Sequence, residues 1–298
     1  MRDRAQILLL PDGKRLYLHD GPIDIILEAF GAPFEIQLAY RAAAKRFVAV
    51  LDELCEELPK LRQPSGQVDP AFAGPIAQRM AAAVAPYASQ CFITPMAAVA
   101  GAVAEEILGA MTAVANLERA YVNDGGDIAL HLEQGHFVVG IVDQPDGGSL
   151  FGSAVLEANQ PVRGIATSGW RGRSFSLGIA DAVTVLADQA AMADAAATII
   201  ANAVDLPGHP NIARKPARQL APDSDLGDRL VTQEVGVLTD QEVDRALNDG
   251  EALAQSLLEK RLIRAVALRL RGETRTVDTP VGFSLSETSA EHGRLAHA

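Results

Sequence analysis

The rhythm of hydrophobic positions changes three times along this chain. From residue 5 to 30 the apolar residues come in short runs: Ile7 to Leu10, then Leu16, Tyr17 and Leu18, then Ile23, Ile25 and Ile26. Pro11-Asp12-Gly13 separates the first two, so the pattern predicts a β-hairpin followed by a third short strand. Over 33–61 the period becomes helical, with Leu38, Ala42, Phe47, Val50, Leu51 and Leu54 spaced between charges behind Pro33. Gln63-Pro64-Ser65-Gly66 ends that helix. Two more are predicted at about 74–87, after Gly74-Pro75, and about 95–117, with Thr94 as N-cap and Pro95 at the first helical position.

The middle of the chain then reads as strands. Arg119 to Val122 enters Asn123-Asp124-Gly125-Gly126-Asp127 and Ile128 to Leu132 leaves it; Phe137 to Val142, Val162 to Ala166 and Asp181 to Ala187 follow. Ala190 to Val204 has the composition of a packed helix. Proline, glycine and charge over 206–225 predict a long loop. Gln241 to Lys260 is a predicted helix and Ala265 to Leu270 a last strand ending at Gly272. Helices and strands are interleaved without strict alternation, which predicts an α+β fold. The expected organisation is one domain over 1–277 and a polar, aperiodic C-terminal tail over 278–298.

Composition narrows the function classes. Of 298 residues, 48% are hydrophobic and 21% charged, which is ordinary for a globular chain. The formal net charge is -12, so the surface repels polyanions, and neither nucleic acid nor a basic membrane-surface role is expected. A local basic spot can still hold a small phosphate ester where a metal ion helps. Cys55 and Cys91 are too few for a disulfide framework. The N-terminus has no signal-peptide or lipid-anchor pattern. The most apolar long window, Cys91 to Ala115, is interrupted by Glu105 and Glu106 and suits a buried helix rather than a membrane span. A cytoplasmic protein is expected. The alanine-rich helix near 95–115 suits close packing within one subunit or across a homo-oligomer.

Familiar catalytic motifs are mostly missing: there is no G-x-x-x-x-G-K-[ST] and no G-x-G-x-x-G, and Ser174 to Gly178 lacks the first glycine of a nucleophile elbow. None of the six histidines forms a zinc-ligand pattern. Three segments carry candidate chemistry. Asn123-Asp124-Gly125-Gly126-Asp127 is good turn chemistry anywhere, but its two glycines also let backbone amides approach a phosphate. Ala166-Thr167-Ser168-Gly169-Trp170-Arg171-Gly172-Arg173-Ser174 gathers hydroxyls, two guanidinium groups and the single tryptophan. Such a loop suits a diphosphate with the indole on a planar ring, or else an exposed loop whose tryptophan caps the core. In Asp194-Ala195-Ala196-Ala197-Thr198 a helix would project a carboxylate and a hydroxyl from one face. Those hard oxygens suit Mg²⁺ shared with substrate phosphates, though Asp194 is equally explained as a favourable charge in a first helical turn.

The order of these segments is more telling than any one of them. Asn123-x-Gly125-Gly126-Asp127, then Ala166-Thr167-Ser168-Gly169, then Val183-Thr184-Val185 leading to Ala193-Asp194-Ala195-Ala196-Ala197-Thr198 resembles the ApbE superfamily of flavin transferases. The resemblance is clearest over 90–205, and the whole length looks most like the shorter branch without a lipoprotein signal. It implies an antiparallel sheet packed with helices, related to the T-fold. It also implies a Mg²⁺-assisted cleavage of FAD in which FMN is esterified to a threonine of an acceptor protein. Carried over singly, Asp194 and Thr198 match the metal pair. Asn123, Gly125, Gly126 and Asp127 match the glycine turn, and Thr167, Ser168 and Gly169 the cofactor-side loop. Trp170 would pack on the flavin; Arg171 or Arg173 would stabilise phosphoryl charge; Asp127 or Asp181 would orient or deprotonate the acceptor hydroxyl. Two departures stand out: the family's histidine-isoleucine-aspartate-proline segment is missing before the Val183 strand, and Ala100-Gly101 stands where a lysine-glycine pair is expected. They keep a second reading open, a non-catalytic flavin- or pterin-binding protein on the same fold.

Overall fold

The computed structural model describes residues 4–66, 71–142, 150–278 and 283–285. Strands β1 (Gln6–Leu9), β2 (Leu16–Asp20) and β3 (Ile23–Phe30) form an antiparallel meander. The first turn closes because Asp12 Oδ1 accepts from the amides of Lys14 and Arg15 at 2.9 and 3.0 Å. Buried and half-buried positions alternate along β2 and β3, the signature of strands with one face on a core. Helix α1 (Pro33–Leu61) starts on Pro33 and buries Ala39, Ala43, Phe47, Val50 and Leu54, a single stripe at helical spacing.

Helix α2 (Pro75–Val84) comes next, close to expectation. The third predicted helix is corrected at both ends: Pro95–Ala98 is a 3-10 turn, α3 proper is Val99–Thr112, and Thr94 does not cap it. The Thr94 hydroxyl donates instead to Asp225 at 2.5 Å, across a contact that no local pattern shows. Strands β4 (Arg119–Asp124), β5 (Asp127–Leu132), β6 (His136–Val142), β7 (Leu150–Glu157), β8 (Gly164–Ser168) and β9 (Ala182–Ala187) lead to helix α4 (Ala190–Ala203).

Where a long loop is expected, Ile212–Pro216 forms β10, the short helix α5 (Ala217–Leu220) follows, and β11 (Leu230–Val235) pairs back on β10 with a bulge between Ala213 and Arg214. β10 exposes Ala213 and Lys215 and turns Arg214 inward to Asp205 and the Leu177 carbonyl, so the segment looks like loop unless its distant partners are known. Helix α6 (Asp240–Glu259) and β12 (Ala265–Leu270) agree with expectation, but β13 (Glu273–Asp278) was hidden by its polar composition. Arg271 and Gly272, at φ of 53° and 89°, make the two-residue turn between them. The tail expected from 278 onward lies outside the described residues except for Asp278 and β14 (Phe283–Leu285), which pairs with β7.

The main sheet has nine strands in the order β1-β2-β3-β4-β5-β8-β9-β12-β13, every neighbouring pair antiparallel. Helices α1, α3, α4 and α6 cover one face, and the core lies between them and the sheet. The β14-β7-β6 sheet covers the other face over the central strands, where Ile128, Leu130, Ile165 and Leu186 pack with Leu156. This explains why all six residues of β9 are buried: a strand covered on both sides reads as a continuous apolar run. The α+β expectation, helices on an antiparallel sheet, therefore holds.

Candidate functional site

Asn123 to Asp127 forms the tight hairpin between β4 and β5. Asp124 and Asp127 are cross-strand partners, and Gly125 and Gly126 adopt φ of +64° and +115°, a region open chiefly to glycine. Asn123 Oδ1 accepts from the Gly126 amide at 2.8 Å, and the Gly125 amide donates to the carbonyl of Asp24 in β3 at 3.2 Å. Gly126 faces open space. Gly125 does not: a Cβ there would overlap Nη2 of Arg173 at 1.8 Å. Bareness at 125 is thus what lets the guanidinium lie on the turn.

The second segment meets the first through backbone as well. The Thr167 amide, near the end of β8, donates to Asp127 Oδ1 at 3.2 Å, and the Thr167 hydroxyl bonds Thr184 of β9 at 2.9 Å. Beyond it the chain is pinned by a buried carboxylate. Asp181 Oδ1 accepts from Trp170 Nε1 at 3.1 Å and pairs with Arg171 Nε at 2.8 Å; its Oδ2 accepts from the Arg271 amide at 2.6 Å. Gly169 fits because a Cβ would meet the Asp181 carbonyl at 2.4 Å. The indole is half-buried against the core with Arg171 at 5.1 Å from its ring centre. Ser168 is half-buried beside the exposed Thr167.

The third segment lies in α4, whose start crosses the start of α3. Gly101 permits the crossing, since a Cβ there would lie 2.4 Å from the Ala190 carbonyl oxygen. Each helix then supplies a carboxylate to the other's first turn. Asp194 Oδ2 accepts from the Gly101 amide at 3.1 Å and the carboxylate also takes the Ala100 amide; Glu105 Oε1 accepts from the Ala191 amide at 2.7 Å. Helix starts carry unpaired amides and partial positive charge, so both contacts are favourable. Arg79 closes the arrangement with Glu105 at 2.9 Å. Thr198, one turn after Asp194, is half-buried, and its hydroxyl has no hydrogen-bond partner among the described residues.

The three predicted segments thus converge, and their charges interact. Asp127 and Asp194 each keep a strip of surface open to solvent while protein packs round their other sides. Burial raises the Asp127 carboxyl well above the usual range, the charge of Asp194 adds to this, and the Thr167 amide opposes it. Burial also pushes Asp194 up to about 7, against the α3 amides, with Asp124 adding repulsion. Asp124 is pushed to about 7 by burial, with the Asp24 amide and Arg173 pulling it down. Arg173 approaches Asp24 at 4.0 Å from the solvent side and is itself more than half exposed. Several carboxylates with unmet demand for positive charge therefore sit beside two helix starts and a mobile-length arginine. Among the described residues no three His, Cys, Asp or Glu side chains are arranged to hold a metal ion.

Sequence reasoning missed Asp24, Asp124 and Glu105 as members of this neighbourhood. Asp24 is an ordinary polar position of an alternating strand, and only the β3–β4 register brings it to the turn. Glu105 did leave a signal, since an acid inside an apolar helix requires a partner. Described histidines lie elsewhere: His131 contacts the Leu117 carbonyl, His209 pairs with Glu242, and His19 stacks on Tyr17.

A family model described as AbpE bacteria matches residues 7–276. The chain belongs to this family. Membership makes it an ApbE-like protein, as the ordered motifs implied. Relatives of this ApbE-like chain include the UPF0280 protein of Methanothrix thermoacetophila, 41% identical over 44% of this chain and 53% of that protein. Those of Methanopyrus kandleri and Methanosphaerula palustris are 40% and 42% identical over 43% of this chain, covering 48% and 52% of theirs. The chain spans about half the length of the curated relatives it matches. The crystal structure of Pseudomonas stutzeri flavinyl transferase ApbE, apo form, aligns over 94% of this chain and 96% of that one, with 12% identity and a TM-score of 0.44. No helix among the described residues is long and apolar enough to cross a membrane.

Proposed function

We propose that the chain binds FAD with Mg²⁺ and transfers its FMN half to a hydroxyl of an acceptor protein. The observation that carries this reading is the meeting of Asp127 and Asp194, both raised by burial, with the arginine-bearing 167–173 loop and the bare glycine turn. The donor set fits the ion: hard oxygens, a partnerless hydroxyl at Thr198, and excess negative charge. Asp194 and Thr198 would hold it, and once bound it would supply Lewis-acid stabilisation to phosphoryl oxygens.

The chain's own residues do the rest. Gly126 lets the diphosphate lie close to the turn that Asn123 braces, and Arg173, seated over Gly125, neutralises phosphoryl oxygens. Thr167 and Ser168 offer hydroxyls, and Trp170 offers its ring edge as a wall for the isoalloxazine. Asp127 Oδ2, which no described amide engages, accepts the acceptor hydroxyl's proton, helped by its raised basicity. Asp181 and Arg171 are spent on each other, so their role is to position the loop with Gly169.

The test is incubation with FAD and MgCl₂, with release of AMP followed by chromatography. Wild type should produce AMP when acceptor is present, and Asp194→Asn should not. Mg²⁺ should raise the melting temperature of wild type and leave that of Asp194→Asn unchanged. The alternative, a flavin- or pterin-binding protein without transfer, is favoured by the absence, among the described residues, of a histidine from the cluster and by Gly101, whose Cβ space α4 fills. Saturable quenching of Trp170 by FAD without AMP release would select it.

A further inference from the structure

The two ends of the main sheet are finished differently. β13 carries Glu273, Arg275 and Asp278 and packs beside α6. β1 reads Gln6-Ile7-Leu8-Leu9, all four exposed, with Ile7, Leu8 and Leu9 at 39, 53 and 56%. Among the described residues nothing pairs with its outer edge. Natural sheets usually blunt such an edge with charge, proline or a cover. Ile7 and Leu9 lie opposite Leu18 and Leu16, so they share the helix-side face. Leu18 and Leu16 are buried there, whereas Ile7 and Leu9 stand open beyond the flank of α1.

That flank has its own pattern. Arg41, Lys45, Val48, Asp52 and Glu56 are exposed along it, basic before Val48 and acidic after. Laid antiparallel about an axis between Val48 and Ala49, the flank complements itself: Lys45 faces Asp52 of the second copy, and Arg41 faces its Glu56. Contacts at both ends fix strand and helix at the same level. Arg4, just before β1, reaches Asp52 at 2.9 Å and Asp20 at 2.5 Å, while at the other end the Tyr40 hydroxyl donates to the Lys14 carbonyl. The middle of β1 therefore lies alongside the middle of α1, and one two-fold axis serves both.

We propose that this face binds a second copy of the chain. β1 pairs antiparallel with β1 of the second copy, joining the two nine-stranded sheets into one. Ile7 and Leu9 of both copies fill the notch between the two α1 flanks, and the opposed charges set the register. An isologous contact of this kind closes on itself, so it stops at a dimer. A 29-residue helix runs about 44 Å, long enough for an interface of ordinary size.

Sedimentation equilibrium of the full chain at micromolar concentration tests this and does not depend on flavin or metal. Wild type should show twice the chain mass. Ile7→Asp with Leu9→Asp should give a monomer with unchanged far-UV circular dichroism, since both positions are exposed. Arg41→Glu should weaken the dimer about tenfold, because symmetry repeats the repulsion. Arg41→Glu with Glu56→Arg should return it to the wild-type value. A monomeric wild type, a dimer indifferent to the β1 change, or a double swap no tighter than Arg41→Glu alone would each overturn the proposal.

Discussion

Gly101 and Gly109 lie on one helix but have opposite surroundings. A Cβ at Gly101 would strike the backbone of Ala190, whereas nothing lies within 4 Å of one at Gly109. Gly101→Ala must push α3 and α4 apart, at a cost of about 1–3 kcal/mol. Gly109→Ala should stabilise by about 0.5–1 kcal/mol, since it removes backbone freedom from a helix interior. Calorimetry should therefore show melting temperatures moving in opposite directions; a Gly101→Ala protein as stable as wild type would show that the helices do not meet there. Asp181 gives a second residue-scale expectation. Asp181→Ala frees Trp170 Nε1, Arg171 and the Arg271 amide together, so acrylamide should quench Trp170 more readily than in wild type. At this scale the sequence singled out the turn, the loop and Asp194, and the structure brings the three together. It was silent on what each touches: that Asp181 is saturated by donors depends on Arg271, ninety positions away.

Helix α6 shows how an element end makes pH-dependent stability. The Thr239 side chain accepts from the Glu242 amide, and Glu242 reaches back to the Thr239 amide at 2.8 Å while accepting from His209 at 2.8 Å. Thr239→Ala should cost about 1 kcal/mol. These donors, the Thr239 amide first, hold the Glu242 carboxyl down at about 2 from its ordinary 4.5. A depressed carboxyl stabilises the fold fully above its unfolded value and loses that contribution as the pH falls from about 4.5 toward about 2. Glu242→Gln should flatten this part of the acid limb in denaturation curves recorded across that window. If wild type and variant lose stability in parallel there, the reciprocal cap is not formed in solution. The elements most readable from the chain were those with local punctuation: Pro33 opening α1, the Asp12 turn, the two-glycine hairpin. Strands β10 and β13 escaped because their residues are polar on the exposed side and their definition rests on partners, Leu230–Val235 and β12, rather than on composition.

Across the whole molecule, burial grades from the doubly covered strands to the edges. β9 is buried throughout and β12 nearly so, while β1 is exposed along its length. Amide exchange should follow that order: β9 and β12 should exchange only through global opening, and β10–β11, in a separate two-stranded sheet, well before them. Exchange from β9 as fast as from β10 would contradict a core shared by both faces. The central apolar run was readable as strand, but the second layer above it was not. Nothing in Phe137 to Val142 says that it belongs to another sheet lying over Ile128 and Ile165.

The exchange of carboxylates between α3 and α4 bears on how this protein can change over time. Asp194 ties down the start of α3 while Glu105 ties down the start of α4, so each acid is held in place by architecture as well as by any ligand. A lineage without the proposed flavin chemistry would still be selected to keep aspartate at 194, because an apolar replacement would leave the first amides of a buried helix unpaired. The aspartate of the D-x-x-x-T pattern therefore outlasts the proposed activity, whereas its threonine need not. Thr198, which carries no such structural duty among the described residues, is the position free to drift, and its fate in a descendant would bear on the proposed chemistry.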